Sequence, residues 1–229
     1  MDSPNPPSSP SSSPSPSPAP AKTKIVLLTG PSGCGKTALT RRLGLPVVRL
    51  DDFYLDGDHP GLPRAFGIVD WDDPASWDGP GALEALTSLA RQGRVEVPVY
   101  DIPSNARTGT GLVDCVGSAI VIAEGIFAAQ LVEGCRAAGI LADAIYLDRP
   151  ALVTFWFRLL RDIAESRKPL LTLIRRGFAL MRAEPRLHQQ WTSLGCRAVS
   201  VSDAEACIRT LAGDHATAKL ECLEQPNST

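Results

Sequence analysis

The chain has 229 residues, a formal net charge of −2 and a pI near 5.9, which excludes the global basic field that would hold nucleic acid. Its six cysteines, Cys34, Cys115, Cys135, Cys196, Cys207 and Cys222, contain no C-x-x-C pair, so they indicate neither a zinc site nor a disulfide framework, and reduced, mostly buried thiols are expected. No stretch supplies the roughly 18 uninterrupted apolar residues of a membrane span, and the start lacks the basic and apolar regions of a secretory signal, so a cytoplasmic protein with no membrane partner is expected.

Residues 1–22 are almost entirely Ser, Pro and Ala, too poor in apolar surface to offset the entropy of ordering them, and read as a disordered tail. The remainder, residues 23–226 before a short polar end at 227–229, is long enough for one α/β domain with a full core and a lid. KIVLLT (24–29) reads as a short buried strand, GPSGCGKT (30–37) as a glycine-rich loop, and TALTRRLG as a helix stopped by Gly44 and Pro46. PVVRLDD reads as a second strand ending in carboxylates. Residues 56–81, dense in Gly, Pro, Asp and Trp, form an excursion too long for a plain connector.

GALEALTSLARQG has helical spacing and a glycine stop, while RVEVPVYD and the stretch from Arg107 to Val113 read as the two sides of a small β-flap. SAIVIAEG is a strand ending in Glu124, followed by a helix over GIFAAQLVEG, and DAIYLD is a further strand. ALVTFWFRLLRDIAESRK and LLTLIRRGFALMRAEPRLHQQWTSLG have helical patterns, and RAVSV reads as a last strand. Strands alternating with helices imply a doubly wound, mostly parallel sheet with flanking helices. Arg158, Arg161, Arg167, Lys168, Arg175, Arg176, Arg182 and Arg186 concentrate positive charge in one region, either a solvated helical face or an anion-binding cluster.

GPSGCGKT fits G-x-x-x-x-G-K-[ST] and lies between strand and helix, the context that makes this motif a phosphate-binding loop. Its backbone N–H groups must turn inward around phosphate oxygens, hence glycine at 30, 33 and 35. Pro31, Ser32 and Cys34 complete the loop, Lys36 brings mobile positive charge, and Thr37 offers a hydroxyl to Mg²⁺. A phosphoryl-transfer enzyme also needs a group that takes the acceptor's proton, and LDDFY supplies candidates in Asp51 and Asp52; a local turn or cap is the structural alternative. Glu124, at a strand end, is a candidate for holding Mg²⁺ or orienting the attacking group, with a helix cap as its alternative.

The series GPSGCGKT, LDDFY, DWDDPASWD, VPVYDIPSNAR, IAEGI and FRLLRD, in that order over roughly residues 24–168, resembles the uridine kinase and uridine-cytidine kinase branch of the phosphoribulokinase-like P-loop kinases. The resemblance implies a P-loop NTPase-type sheet with a β-flap and a helical lid around residues 158–170. It implies transfer of the γ-phosphoryl of ATP, with Mg²⁺, to the 5′-hydroxyl of a pyrimidine ribonucleoside. It makes Asp51 the catalytic base, with Tyr54 near the substrate, Trp71 stacked on the base and Asp72 near the ribose hydroxyls. Tyr100 then lines the base pocket with Arg107 downstream, and Arg158 and Arg161 face the phosphates. Such roles suit these side chains, since aromatic faces stack on bases, carboxylates accept from vicinal hydroxyls and guanidinium groups hold phosphate oxygens.

Two departures stand out. Asn105 occupies the place of a histidine associated with reading the pyrimidine edge, and the lid string E-R-G-R is replaced by Glu165, Ser166, Arg167 and Lys168. Competing readings are a P-loop kinase for another hydroxylated metabolite, pantothenate- or sugar-like, and a catalytically weakened nucleotide-binding regulator. A GTPase-type switch is disfavoured, because DCVG (114–117) precedes a strand instead of following one and no N-K-x-D string occurs. The sequence leaves homo-oligomerisation open.

Overall fold

The computed structural model of the chain describes residues 21–65, 68–150, 153–154 and 185–224. Strand β1 (Lys24–Thr29) leads through the glycine-rich loop into helix α1 (Lys36–Leu43) and then β2 (Val47–Arg49). Two short strands, β3 (Arg64–Ala65) and β4 (Ile68–Val69), precede helix α2 (Gly79–Gln92), which is followed by β5 (Arg94–Asp101) and β6 (Ala106–Asp114). Next come β7 (Ile120–Glu124), α3 (Val132–Ala137) and β8 (Leu141–Leu147). A helical segment at residues 185–193, α4, is followed by β9 (Arg197–Val199) and α5 (Val201–Glu224).

The main sheet has the order β2-β7-β1-β8-β9, and every pairing in it is parallel. Both faces of β1 are covered. Ile25 and Leu27 pack with α2, α3 and Trp191 on one side, and Val26 and Leu28 pack with α1 and α5 on the other, which is why KIVLLT is continuously apolar instead of alternating. β7 repeats the pattern with Val121 and Ala123 on the first face and Ile120 and Ile122 on the second. The chain leaves β1 for the edge strand β2, returns to insert β7 between them, and then continues on the far side of β1 with β8. That reversal gathers the carboxyl ends of β1, β2 and β7 around one crevice, where open parallel sheets place their ligands.

The expected flap exists as the antiparallel β5–β6 hairpin, with a register irregularity between Val99 and Tyr100. Helix α2 is started by the Asp78 carboxylate, which accepts from the Gly81 N–H at 2.9 Å, and is ended by Gly93 at φ 84°.

Several expectations shift. The second strand stops at Arg49, and its carboxylates lie on a 3-10 turn, Leu50–Phe53. Side chains take the carbonyls a longer strand would use: the Trp77 indole donates to Leu50 O at 2.7 Å, and the Arg107 guanidinium donates to Phe53 O at 3.3 Å and Tyr54 O at 3.0 Å. After Glu124 a 3-10 turn, Ala128–Leu131, precedes the six-residue α3 where one longer helix was expected. The long C-terminal helix α5 carries no strong amphipathic signature in its sequence. The lid around 158–170 and residues 1–20 of the tail expected over 1–22 lie outside the described residues, whereas Ala21 packs against the core and the Lys22 N–H donates to Ala90 O at 3.0 Å, so the ordered chain begins before residue 23.

Cys34, Cys115, Cys135, Cys196 and Cys207 are free thiols, Cys207 half-buried and the others buried. Burial pushes Cys135 up to about 12 and, with Asp143 nearby, Cys196 to about 11, so both remain protonated and unreactive at neutral pH. Among the described residues no helix is long and apolar enough to cross a membrane.

Candidate active site

The glycine-rich loop turns between β1 and α1 in a conformation closed to most side chains. Gly30 has φ 147°, and a Cβ there would lie 2.8 Å from Cys34 Sγ. Gly35, at φ 103°, forms the N-cap of α1. Helix α1 has no acidic residue in its first turn and Arg41 and Arg42 in its last, so the positive end of its dipole faces the loop without a side-chain counter-charge. Ser32, Gly33, Gly35, Lys36 and Thr37 line a cavity of about 420 Å³. Of the other loop residues, Cys34 is buried beneath it in the core shared with α1, and Gly30 and Pro31 supply carbonyls that accept from the Lys36 ammonium at 2.6 and 3.2 Å.

Asp51 and Glu124 line the same cavity. Glu124 ends β7 in register with Arg49, which ends β2, so the sheet itself sets the spacing of the wall. Its Oε2 is buried and has no hydrogen-bond partner among the described residues. Burial raises the Glu124 pKa, the attraction of Lys36 opposes that rise, and the negative charge of Asp51 adds to it. Asp51 opens onto the cavity, yet the protein walls around its carboxylate withdraw solvent and raise its pKa. Lys36, Arg49 and the N–H of Ile126 pull it down, and Asp52 pushes it up.

A buried, unpartnered carboxylate oxygen sharing a cavity with the Thr37 hydroxyl fits a hard, oxygen-liganded cation such as Mg²⁺. No group of three or more His, Cys, Asp or Glu side chains forms a metal cage among the described residues.

From Asp51 the chain runs three residues to Tyr54, whose ring meets Trp71 edge-on at 5.6 Å, Tyr100 at 5.7 Å and Phe127 at 6.0 Å. Trp71 and Tyr100 are 6.4 Å apart. Residues from the 3-10 turn, the long excursion and the flap are thus brought into one aromatic cluster beside the carboxylate. The Tyr54 hydroxyl donates to Trp71 O at 3.2 Å, and its pKa is raised by burial and then by the charges of Asp51, Asp72 and Tyr100. Asp72 is exposed beside this cluster.

Two of the expected substrate residues carry structural duties. Arg107 donates its backbone N–H to Asp56 at 2.6 Å and its guanidinium to Phe53 O, Tyr54 O and the Asp78 carboxylate, fastening the flap to the turn that bears Asp51. Asn105 sits exposed at the hairpin tip with φ 49°, and its carbonyl accepts from the Gly57 N–H at 2.7 Å. Asparagine tolerates that left-handed conformation better than most residues, a backbone reason for its presence. Arg158 and Arg161 lie outside the described residues.

Motif reading did not single out Gly125, Phe127, Arg49 or Arg149, all of which shape the site. Gly125 and Arg149 follow strand-end residues at the sheet's carboxyl edge, and that position is the signal that could have found them.

No family model matches the chain. The uridine kinase of Macrococcus caseolyticus (strain JCSC5402) is 25% identical over 211 residues, covering 89% of this chain and 98% of its own length. The uridine kinase of Staphylococcus aureus (strain JH9) is 26% identical over 208 residues, covering 88% and 97%. Among solved structures, a candidate fructose transport system kinase from Silicibacter sp. TM1040 superposes with a TM-score of 0.54 at 22% identity, covering 76% of this chain and 88% of its own, a likeness of fold. With this loop, this sheet order and relatives along nearly its whole length, the chain is a P-loop small-molecule kinase similar in sequence to proteins named uridine kinase.

Proposed function

We propose that the chain transfers the γ-phosphoryl group of ATP to the 5′-hydroxyl of a pyrimidine ribonucleoside, uridine or cytidine. The observation that carries this reading is the continuity of the site. Asp51 lines the cavity with Lys36 and Glu124, and three residues on, Tyr54 opens the cluster with Trp71 and Tyr100. A phosphate cradle, a carboxylate and flat apolar surfaces for a ring therefore adjoin in that order. The kinase unit is assigned to residues 23–226, with the lid around 158–170.

In this mechanism the loop N–H groups and Lys36 hold the phosphates of ATP. Asp51 takes the proton of the 5′-hydroxyl as that oxygen bonds to the γ-phosphorus and the bond to the bridging oxygen of ADP breaks. Arg158 and Arg161 hold the charge that develops on the transferring oxygens. Thr37 and Glu124 are the residues that would hold Mg²⁺, which when bound neutralises phosphate charge. Trp71, Tyr54 and Tyr100 orient the base and Asp72 the ribose, while Asn105 and Arg107 bound the pocket on the flap side.

A kinase for a sugar- or pantothenate-like acceptor is the second reading, favoured by one observation: Asn105 is accounted for by its left-handed backbone, without any part in base reading. The test is incubation of the purified chain with Mg-ATP and a panel of uridine, cytidine, their deoxy forms, pantothenate and simple sugars, with products identified by mass. Uridine or cytidine monophosphate is the expected product. Phosphorylation of a sugar or pantothenate alone would replace this reading with the second.

A further inference from the structure

The cavity over the loop is also lined by a positive charge from beyond β8, Arg149, with Val201 at the start of α5. Position 35 is glycine, and the Arg149 guanidinium lies close to it: a Cβ at 35 would lie 3.4 Å from Arg149 Nη1 and 3.9 Å from its Cζ. Lys36, next in sequence, donates to the carbonyls of Gly30 and Pro31. Both cations line the cavity over the turn whose N–H groups form the anion cradle.

Two more arginines line this cavity. Arg42 bonds Glu205 at 2.8 Å, a carboxylate that also takes Arg209, and Arg49 pairs with Asp52 at 3.8 Å. Arg149 differs from them by its approach to Gly35. It is half-buried and lies two residues beyond β8, a strand paired on both sides. A planar guanidinium so placed can present two parallel N–H groups to phosphate oxygens.

We propose that Arg149 is a second phosphate-binding cation of the nucleotide site, holding the phosphate chain of ATP together with Lys36. The inference rests on the reading of this cavity as an ATP site, and no motif of the loop contains the residue. Arg149 comes from the loop after β8, at the carboxyl ends of the strands, and precedes Arg158 and Arg161 in sequence.

Calorimetric titration of the full chain with ATP, and with inorganic tripolyphosphate as competitor, tests this on the parent, Arg149→Met and Arg149→Lys. The methionine variant is expected to bind both ligands about tenfold or more weakly, and the lysine variant to fall between, since it restores charge without the fork. If the methionine variant does not fold, the lysine variant alone carries the test, with a several-fold loss expected. Unchanged ATP affinity overturns the proposal, as does a loss for ATP without a loss for tripolyphosphate, which would put the guanidinium on the nucleoside. A parent chain that binds no ATP would instead sink the reading of the cavity itself, a result distinct from either.

Discussion

Gly125 packs against the turn that carries Asp51 so closely that a Cβ at position 125 would lie 2.7 Å from Leu50 Cβ and 3.1 Å from Asp51 Oδ1. The absence of a side chain at 125 therefore sets where the proposed base stands. Gly125→Ala is expected to push the turn away from β7, costing about 1–3 kcal/mol of stability as overpacking. Displacement of the carboxylate by a fraction of an ångström is expected to lower turnover by about tenfold or more. Urea unfolding and steady-state rates on the same preparation check both, and a variant with parental stability and parental rate would show that the turn accommodates the methyl without moving Asp51.

Asp51 and Glu124 both have pKa values raised chiefly by burial, with Lys36 opposing each shift; the charge of Asp52 adds to the rise at Asp51, and that of Asp51 to the rise at Glu124. A carboxyl whose folded pKa exceeds its unfolded value binds protons more tightly in the folded state. Stability is then greatest below the unfolded value, 3.8 for Asp51, and declines as pH rises through the folded one. Removing the ionisable group removes that decline. Asp51→Asn is therefore expected to raise the melting temperature at pH 7 without nucleotide or Mg²⁺, while turnover falls about 10²- to 10⁴-fold and ATP still binds. In the parent enzyme, turnover should rise with pH through apparent values that belong to the Asp51–Glu124 pair and lie above those of free carboxylates. Melting temperature against pH and kcat against pH on the two proteins check this. An Asp51→Asn variant with near-parental rates would remove Asp51 from the role of base.

Trp77 was legible only as an aromatic in a Gly-rich loop, but in the fold it is a buried strut whose indole N–H donates to Leu50 O at 2.7 Å and whose ring lies 5.6 Å from Phe127. Trp77→Phe keeps most of the packing and leaves the Leu50 carbonyl buried without that donor. A loss of about 1–3 kcal/mol is expected in urea unfolding, with ATP affinity unchanged because the loop is not involved. A loss in ATP affinity equal to that in stability would mean the two walls of the cavity are not independent.

The strand, loop and helix from Lys24 to Leu43 were legible because the chemistry is local: a continuous apolar run, a fixed glycine spacing and a glycine stop. Glu124 was legible for the same reason, as the polar end of an apolar strand. The turn at Asp51 was not, because the pattern VVRL continues the β period, and what ends the strand is a set of donors from Trp77 and Arg107, 27 and more residues away. Arg107 and Asn105 have sequence patterns that suit ligand contact, whereas their hydrogen bonds to Phe53, Tyr54 and Gly57 are tertiary and leave no local trace. Arg149 belongs to the same class: only the sheet order brings the end of β8 beside Gly35.

Asp52 shows how the flap and the base are held in one frame. It is buried, its Oδ1 accepts from the Tyr100 N–H at 3.3 Å where the β5–β6 register shifts, and its Oδ2 lies 3.8 Å from Arg49 Nε. The carboxylate next to the proposed base thus ties Tyr100 of the aromatic cluster to the turn and draws Arg49 toward itself at the cavity wall. Asp52→Asn keeps an acceptor for the Tyr100 N–H and loses the attraction for Arg49, a partly exposed pair worth about 1 kcal/mol or less. Asp52→Ala loses both and leaves a buried backbone donor unpaired, for about 1–3 kcal/mol. The alanine variant is expected to raise KM for the acceptor several-fold more than KM for ATP, because Tyr100 is freed while the phosphate loop is untouched. The asparagine variant should recover most of that acceptor KM. Equal effects of the two variants on acceptor KM would assign the role of Asp52 to its charge on Arg49, and not to the hydrogen bond that holds the flap.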